Sequence, residues 1–326
     1  MAQVIQMQRY KALFTDGLGE LTLKSIDYEN NTKMAKILRA GVCGTDKHVI
    51  TGGIKDIKLP RVLGHENVGE IDGKRYVWPA IMPCGTCLAC KERRYNLCEK
   101  NQVFGLTAED VEMGGWAEYT QISKDIVLYP VPDSIGDDEA VLIETVASTK
   151  PLQHADVEGK NILIIGSGAI GLVGAVHAKA IGASSITMVG HKEQAQILGK
   201  IIDSFYEKNT PIEVVGNRYD IVYDAGGDPT SCSYSINAVK PFGTVLESSC
   251  MPHAFNVDLN TLISKEAKLH TQYGYVPNDF KWAIDLVEQN LAEFKKVITH
   301  KFHLDEYDKA LDTILNKRYG KIIFSP

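Results

Sequence analysis

The sequence predicts an α/β protein made of a doubly wound parallel sheet and a second, β-rich domain. Three observations carry that expectation. Residues 161–174 read N-I-L-I-I-G-S-G-A-I-G-L-V-G, an apolar strand entering a glycine turn that opens a helix. Residues 1–40 and 119–132 alternate short apolar runs with polar turns, the pattern of short strands. The length of 326 residues suits two domains better than one. The expected division gives residues 1–150 and 275–326 to the β-rich domain and 151–274 to the parallel sheet.

In chain order, residues 10–14 and 34–38 read as strands, with turns at Asp16-Gly17 and Asn30-Asn31. Residues 127–132 read as another, followed by an acidic, apolar helix beginning near Ser134 or Asp137. Ile162 to Ile165 make the first buried strand of the parallel sheet, and Leu172, Val173, Ala175, Val176 and Ala178 face the next helix inward. A second strand is expected at 185–189. The stretch 193–218 is shorter and less regular than a full helix, strand and helix. Later parallel strands are expected at 219–227 and at 242–249, the latter the last. Helices follow around 278–290 and 305–316, with Phe280 and Trp282 in the core.

The glycine turn has the chemistry of a dinucleotide site. Gly166 permits the tight turn, Gly168 lets backbone approach a pyrophosphate, and Gly171 lets the helix pack against the strand. Ser167, Ala169 and Ile170 complete the turn, where the helix start offers free N–H groups and a positive dipole end. A glycine-rich turn in some other α/β sheet shares the pattern, but the strand before and helix after favour a nucleotide.

Composition narrows the function classes. A net charge of −6 with no Lys/Arg run leaves no footprint for nucleic acid. No stretch is apolar for long enough to span a bilayer, and the N-terminal M-A-Q-V-I-Q-M-Q-R-Y-K lacks the apolar core of a secretory signal. The expectation is a cytoplasmic protein.

Cysteine spacing is the most specific signal. Cys84, Cys87, Cys90 and Cys98 form C-x2-C-x2-C-x7-C, and four thiolates so placed close a tetrahedron around Zn²⁺ with no open position. Such a site is structural. An iron–sulfur cluster also takes four thiolates, but the last gap is longer than in the compact bacterial run and no Pro follows Cys98. Upstream, Cys43 and His65 lie in two glycine-flanked turns and offer two legs of another zinc site.

Cys43-Gly-Thr-Asp, Gly64-His-Glu, the four-cysteine lobe, Gly114-Gly-Trp-Ala-Glu-Tyr119, the nucleotide turn and Tyr319-Gly-Lys-Ile-Ile323 occur in one order. In that order the chain resembles the zinc-dependent medium-chain alcohol and polyol dehydrogenases over essentially its whole length. The resemblance implies a GroES-like catalytic domain joined to a Rossmann domain, with the active site between them. It implies catalytic zinc on Cys43, His65 and Glu144, with Glu66 as an exchangeable fourth ligand or a supporting group. Glu144 stands where the family has Cys, Glu or Asp, and a Glu is similar to the polyol and threonine dehydrogenase branch. Asp46 matches the acceptor that orients the ligand His. Thr45 matches the hydroxyl that takes the substrate proton, and His48 the relay to solvent. Trp116 and Tyr275 are weaker candidates for lining the substrate cleft.

The same resemblance bears on the cofactor. After the second parallel strand, NAD enzymes place an acid that binds the ribose 2′-OH. This chain has Gly190-His191-Lys192, similar to NADP-using members, so NADP is expected ahead of NAD. Ser148, closing the stretch 141–148, is counted with the cofactor residues, and Ala225, Gly226 and Ser248 are expected near the nicotinamide. The implied reaction is hydride transfer between NADP and a secondary alcohol: a polyol, sugar or aminocyclitol. The family also implies a homodimer or homotetramer. A zinc-free enone or quinone reductase is opposed by the metal ligands; a non-catalytic NADP(H) sensor is opposed by Thr45 and His48.

Overall fold

The computed structural model describes residues 7–29, 33–123, 126–248 and 256–326. The turn expected at Asn30-Asn31 lies outside them. Near the N-terminus, Met7–Thr15 and Leu21–Glu29 pair antiparallel in full register, Met7 opposite Glu29 and Thr15 opposite Leu21. Their turn is set by Gly17 at φ 79° and Gly19 at φ 92°, with Leu18 N–H donating to Asp16 Oδ1 at 2.9 Å. Arg61–Val62 completes this small sheet.

A larger mixed sheet is organised around Met34–Val42, which pairs antiparallel with Asn67–Ile71, Tyr119–Gln121 and Lys321–Ser325. The C-terminal strands Ile298–His303 and Lys321–Ser325 run parallel, joined through helix Tyr307–Asn316. The end of the chain is therefore part of the same sheet as residues near its beginning.

The second half holds a six-stranded sheet, parallel throughout. Taking its strands in chain order, their spatial order is 3-2-1-4-5-6, with Asn161–Ile165 as strand 1. This is the doubly wound order, with ligands taken at the strands' carboxyl ends where the order reverses. Residues 193–218 do contain a helical turn at Lys192–Ala195, a 3-10 segment Gln196–Ile201, strand Ser204–Glu207 and helix Ile212–Val215. The elements are short. Val239–Glu247 is not the last strand, because Lys268–Thr271 pairs beyond it. That short strand has little apolar content, so periodicity alone did not reveal it.

One hydrophobic core joins the two sheets. It runs from Val68 and Val77 through Leu142, Ile143 and Val146 to Ile162, Ile164, Leu172 and Phe280. The acidic helix expected after residue 134 is three short ones, Asp137–Ala140, Leu142–Ala147 and Lys150–His154. Among the described residues no helix is long and apolar enough to cross a membrane.

Candidate active site and metal centres

Cys43 ends the central strand of the mixed sheet and caps helix Gly44–Ile50, with its N–H donating to Asp46 Oδ2 at 2.8 Å. The turn between Arg61–Val62 and Asn67–Ile71 carries His65 and Glu66 beside it. Ligand atoms of Cys43, His65 and Glu66 all lie within 4.8 Å of one another. Asp46, fully buried, holds Oδ1 3.4 Å from His65 Nδ1, though too poorly aligned for a hydrogen bond. Burial opposes charge on His65, but Asp46 and Cys43 outweigh it and raise the imidazole pKa well above normal.

Glu66 is tied to a residue at the far end of the chain. Lys321 Nζ, fully buried, donates to both carboxylate oxygens at 2.6 and 2.7 Å, and the Thr145 hydroxyl donates to Oε1 at 3.1 Å. Burial disfavours the ammonium, yet Glu66 more than compensates and raises its pKa. Antiparallel pairing of Ile322 with Val42 and Ile323 with Gly41 places Lys321 there. The opposite wall is Gly41, where a Cβ would lie 2.0 Å from Glu66 Oε2 and 3.0 Å from its Cβ. With Lys321 locking the carboxylate, Gly41→Ala is expected to displace Glu66, at about 1–3 kcal/mol of stability. Metal content at this site should fall as well. Calorimetry and metal analysis check it against Gly44→Ala, whose Cβ meets nothing within 4 Å.

Glu144 lies on buried helix Leu142–Ala147, outside the group formed by Cys43, His65 and Glu66. Its Oε1 accepts from the Tyr275 hydroxyl at 2.8 Å, and that hydroxyl accepts from Ala80 N–H at 2.9 Å. Burial, then the charge of Glu66, pushes the Glu144 carboxyl up to about 7. Thr45 Oγ1 is 3.6 Å from Cys43 Sγ, and His48 is exposed on the last turn of the same helix. Trp116 is fully buried, with its indole N–H donating to Gly41 O at 3.0 Å; it is core, not cleft.

The four-cysteine lobe closes on itself. Sulfur separations are 3.9 Å for Cys84–Cys90, 3.5 Å for Cys87–Cys90 and 3.9 Å for Cys87–Cys98. Zn–S bonds of about 2.3 Å put the sulfurs of a tetrahedral site roughly 3.8 Å apart, so the cage has the right size. Hydrogen bonds from Thr86 draw the Cys84 thiol down to about 5, towards the thiolate a metal binds.

At the carboxyl ends of the parallel strands lies a cavity of about 300 Å³ lined by Gly166, Ser167, Gly168, Gly190, His191, Lys208, Ala225 and Gly226, among others. Gly171 is buried behind it in the first turn of helix Ala169–Ala180, where Ala169 and Ile170 are half-buried. Lys192 does not line this cavity and borders a separate hollow with Gln196, Gly199 and Phe205. Ser148 donates to Glu144 O at 3.2 Å and Ser248 to the Tyr223 hydroxyl at 3.0 Å; neither lines the cavity. Nor is Gly190 small in order to leave room for phosphate. A Cβ there would meet Ser167 Oγ at 2.5 Å, and that hydroxyl accepts from His191 N–H at 2.8 Å and donates to Gln194 at 3.0 Å.

Residues 30–133 match the alcohol dehydrogenase GroES-like domain and residues 169–289 the zinc-binding dehydrogenase domain. The chain belongs to the zinc-dependent medium-chain dehydrogenases. It is 28% identical to L-threonine 3-dehydrogenase of Pyrococcus furiosus, over 89% of this chain and 90% of that protein. Two solved structures share its fold: L-idonate 5-dehydrogenase of Escherichia coli (TM-score 0.86, 20% identity, 99% of each chain) and 2R,3R-butanediol dehydrogenase of Bacillus subtilis (TM-score 0.84, 22%, 98% and 100%).

This dehydrogenase offers two donor sets suited to zinc. The four thiols match a closed structural site, while sulfur, imidazole and carboxylate at Cys43, His65 and Glu66 leave a position for substrate. Sequence reasoning missed Lys321 and Lys208. Lys321 stands inside the Tyr319–Ile323 motif, but nothing local assigns it a partner, and Lys208 stands in no motif; strand pairing across the molecule and the turn after the third parallel strand put them in place.

Proposed function

We propose that the chain is an NADP-linked dehydrogenase of a hydroxyl-rich secondary alcohol, with catalytic zinc on Cys43, His65 and Glu66. The approach of those three ligand atoms to within 4.8 Å carries the reading. When bound, zinc supplies a Lewis acid that lowers the substrate hydroxyl pKa, and the nicotinamide supplies a hydride acceptor. The protein's own residues do the rest. Asp46 faces His65 Nδ1 and so leaves Nε2 for the metal. Lys321 and Thr145 fix the Glu66 carboxylate. Thr45 accepts the substrate proton, and His48, exposed on the same helix, passes it to water. Glu144, its carboxyl pKa raised by burial and by the charge of Glu66, stands beside this group with its Oε1 held by the Tyr275 hydroxyl. The structural zinc is assigned to Cys84, Cys87, Cys90 and Cys98.

Support for the substrate class comes from relatives whose names specify threonine, idonate and butanediol, each oxidised at a carbon bearing a hydroxyl. NADP is favoured because the second parallel strand ends in Gly190-His191-Lys192, with no acid there to bind the ribose 2′-hydroxyl. Initial rates with NADP⁺ and NAD⁺ against polyols, aldonates, aminocyclitols, β-hydroxy amino acids and simple secondary alcohols test the proposal. Turnover of a hydroxyl-rich substrate with NADP⁺ preferred is expected. Preference for NAD⁺ refutes the cofactor assignment alone; binding of both nucleotides without turnover of any alcohol refutes the reaction.

A further inference from the structure

We propose that Lys208, not Lys192, is the residue that recognises the 2′-phosphate of the cofactor, an inference that rests on the NADP reading above. Lys208 follows the third parallel strand, Ser204–Glu207, whose Glu207 stands in register with Gly190. Its N–H donates to Gly190 O at 2.5 Å, which fixes it beside the end of the second strand. The turn is tight. Asn209 sits at φ 73°, and Thr210 donates to Glu207 O through both backbone (3.0 Å) and hydroxyl (2.7 Å). Lys208 thus projects from a constrained loop into the cavity lined by Gly166, Ser167, Gly190 and His191.

Its ammonium is free enough to take a ligand. The side chain is 52% exposed, and its ion pair with Asp228 Oδ2, the one it makes among the described residues, is long at 4.0 Å. Asp228 shares the cavity wall, and its other oxygen, Oδ1, accepts from Thr230 and Ser231 N–H at the start of helix Pro229–Ala238. Burial lowers the His191 pKa, and Arg318 and then Lys208 lower it further. Glu207 and Glu193 act on the same imidazole in the opposite sense. A phosphate of charge near −2 on this wall takes a charge-assisted hydrogen bond from the Lys208 ammonium. Lys192, beginning the next helix, borders a different hollow. The lysine that reaches this cavity therefore comes from the third strand's loop, while Ser167 takes the His191 backbone N–H and donates to Gln194 where the second strand ends.

The test is binding of adenosine 2′,5′-bisphosphate and of 5′-AMP, by calorimetry, to the intact zinc-loaded protein and to its K208A, K208R and K192A variants. Wild type should prefer the bisphosphate. K208A should weaken the bisphosphate about ten- to hundredfold and 5′-AMP less than twofold, as for loss of one charged hydrogen-bonding pair. K208R should restore most of the loss, and K192A should leave the preference intact. Unfolding temperatures of the variants confirm that each is folded. A wild-type preference that K208A does not diminish, or that K192A abolishes, overturns the Lys208 assignment and leaves the NADP reading standing. A wild type that binds both ligands equally overturns the NADP reading and this assignment with it.

Discussion

Cys43→Ser is expected to abolish alcohol oxidation while the protein stays folded and still binds nucleotide. Cys43 supplies the sulfur of the three-ligand group and sits at the mouth of helix Gly44–Ile50, half-buried rather than packed in the core. Serine keeps the size of the side chain and loses the soft thiolate donor, so the local packing survives and metal affinity does not. A Lewis acid supplies several kcal/mol of transition-state stabilisation, so kcat/KM should fall by about a thousandfold or more. Zinc content should drop by one ion per chain, and thermal unfolding should move little. Normal turnover in this variant would sink the catalytic assignment. Loss of turnover with unchanged zinc would mean that Cys43 serves the reaction in some other way.

The second large effect is the reverse in kind. Cys87→Ser removes one corner of a cage whose sulfurs already stand 3.5 to 3.9 Å apart. The lobe has little else to hold it: around the cysteines lie only a four-residue helix, Leu88–Lys91, a 3-10 turn and two-residue strands. Metal ligation there is folding free energy. Loss of about 3 kcal/mol or more is expected, lowering Tm by roughly 4 °C or more in a chain of this size. The activity of protein that remains folded should change much less than in Cys43→Ser. A chelator strong enough to strip both zincs should reproduce the two losses together. An unchanged Tm in Cys87→Ser would show that the lobe is not held by metal.

What the sequence made legible has short range. The glycine turn between strand and helix, the four cysteines at fixed spacing and the Cys43 and His65 turns are local patterns whose geometry follows from a few consecutive residues. The chain placed the strands at 10–14 and 34–38 correctly within longer elements, because apolar residues there meet a regular sheet. It said less about Lys268–Thr271, whose strand is made by pairing with Val239–Glu247 rather than by its own pattern.

The tertiary structure decided which side chains meet. Lys321 reaches Glu66 across 255 positions of sequence, through strand register that no local rule specifies. The group whose ligand atoms lie within 4.8 Å of one another is Cys43, His65 and Glu66, with Lys321 bonded to both Glu66 oxygens, while Glu144 Oε1 accepts from Tyr275. In the cavity at the carboxyl ends of the parallel strands the lysine on the wall is Lys208 and not Lys192, since the loop after one parallel strand lies beside the end of its neighbour. The sequence alone determined the kinds of chemistry present, as ligand types and phosphate turn. Folding decided their partners, because a buried charge is settled by whatever the opposing strand brings against it.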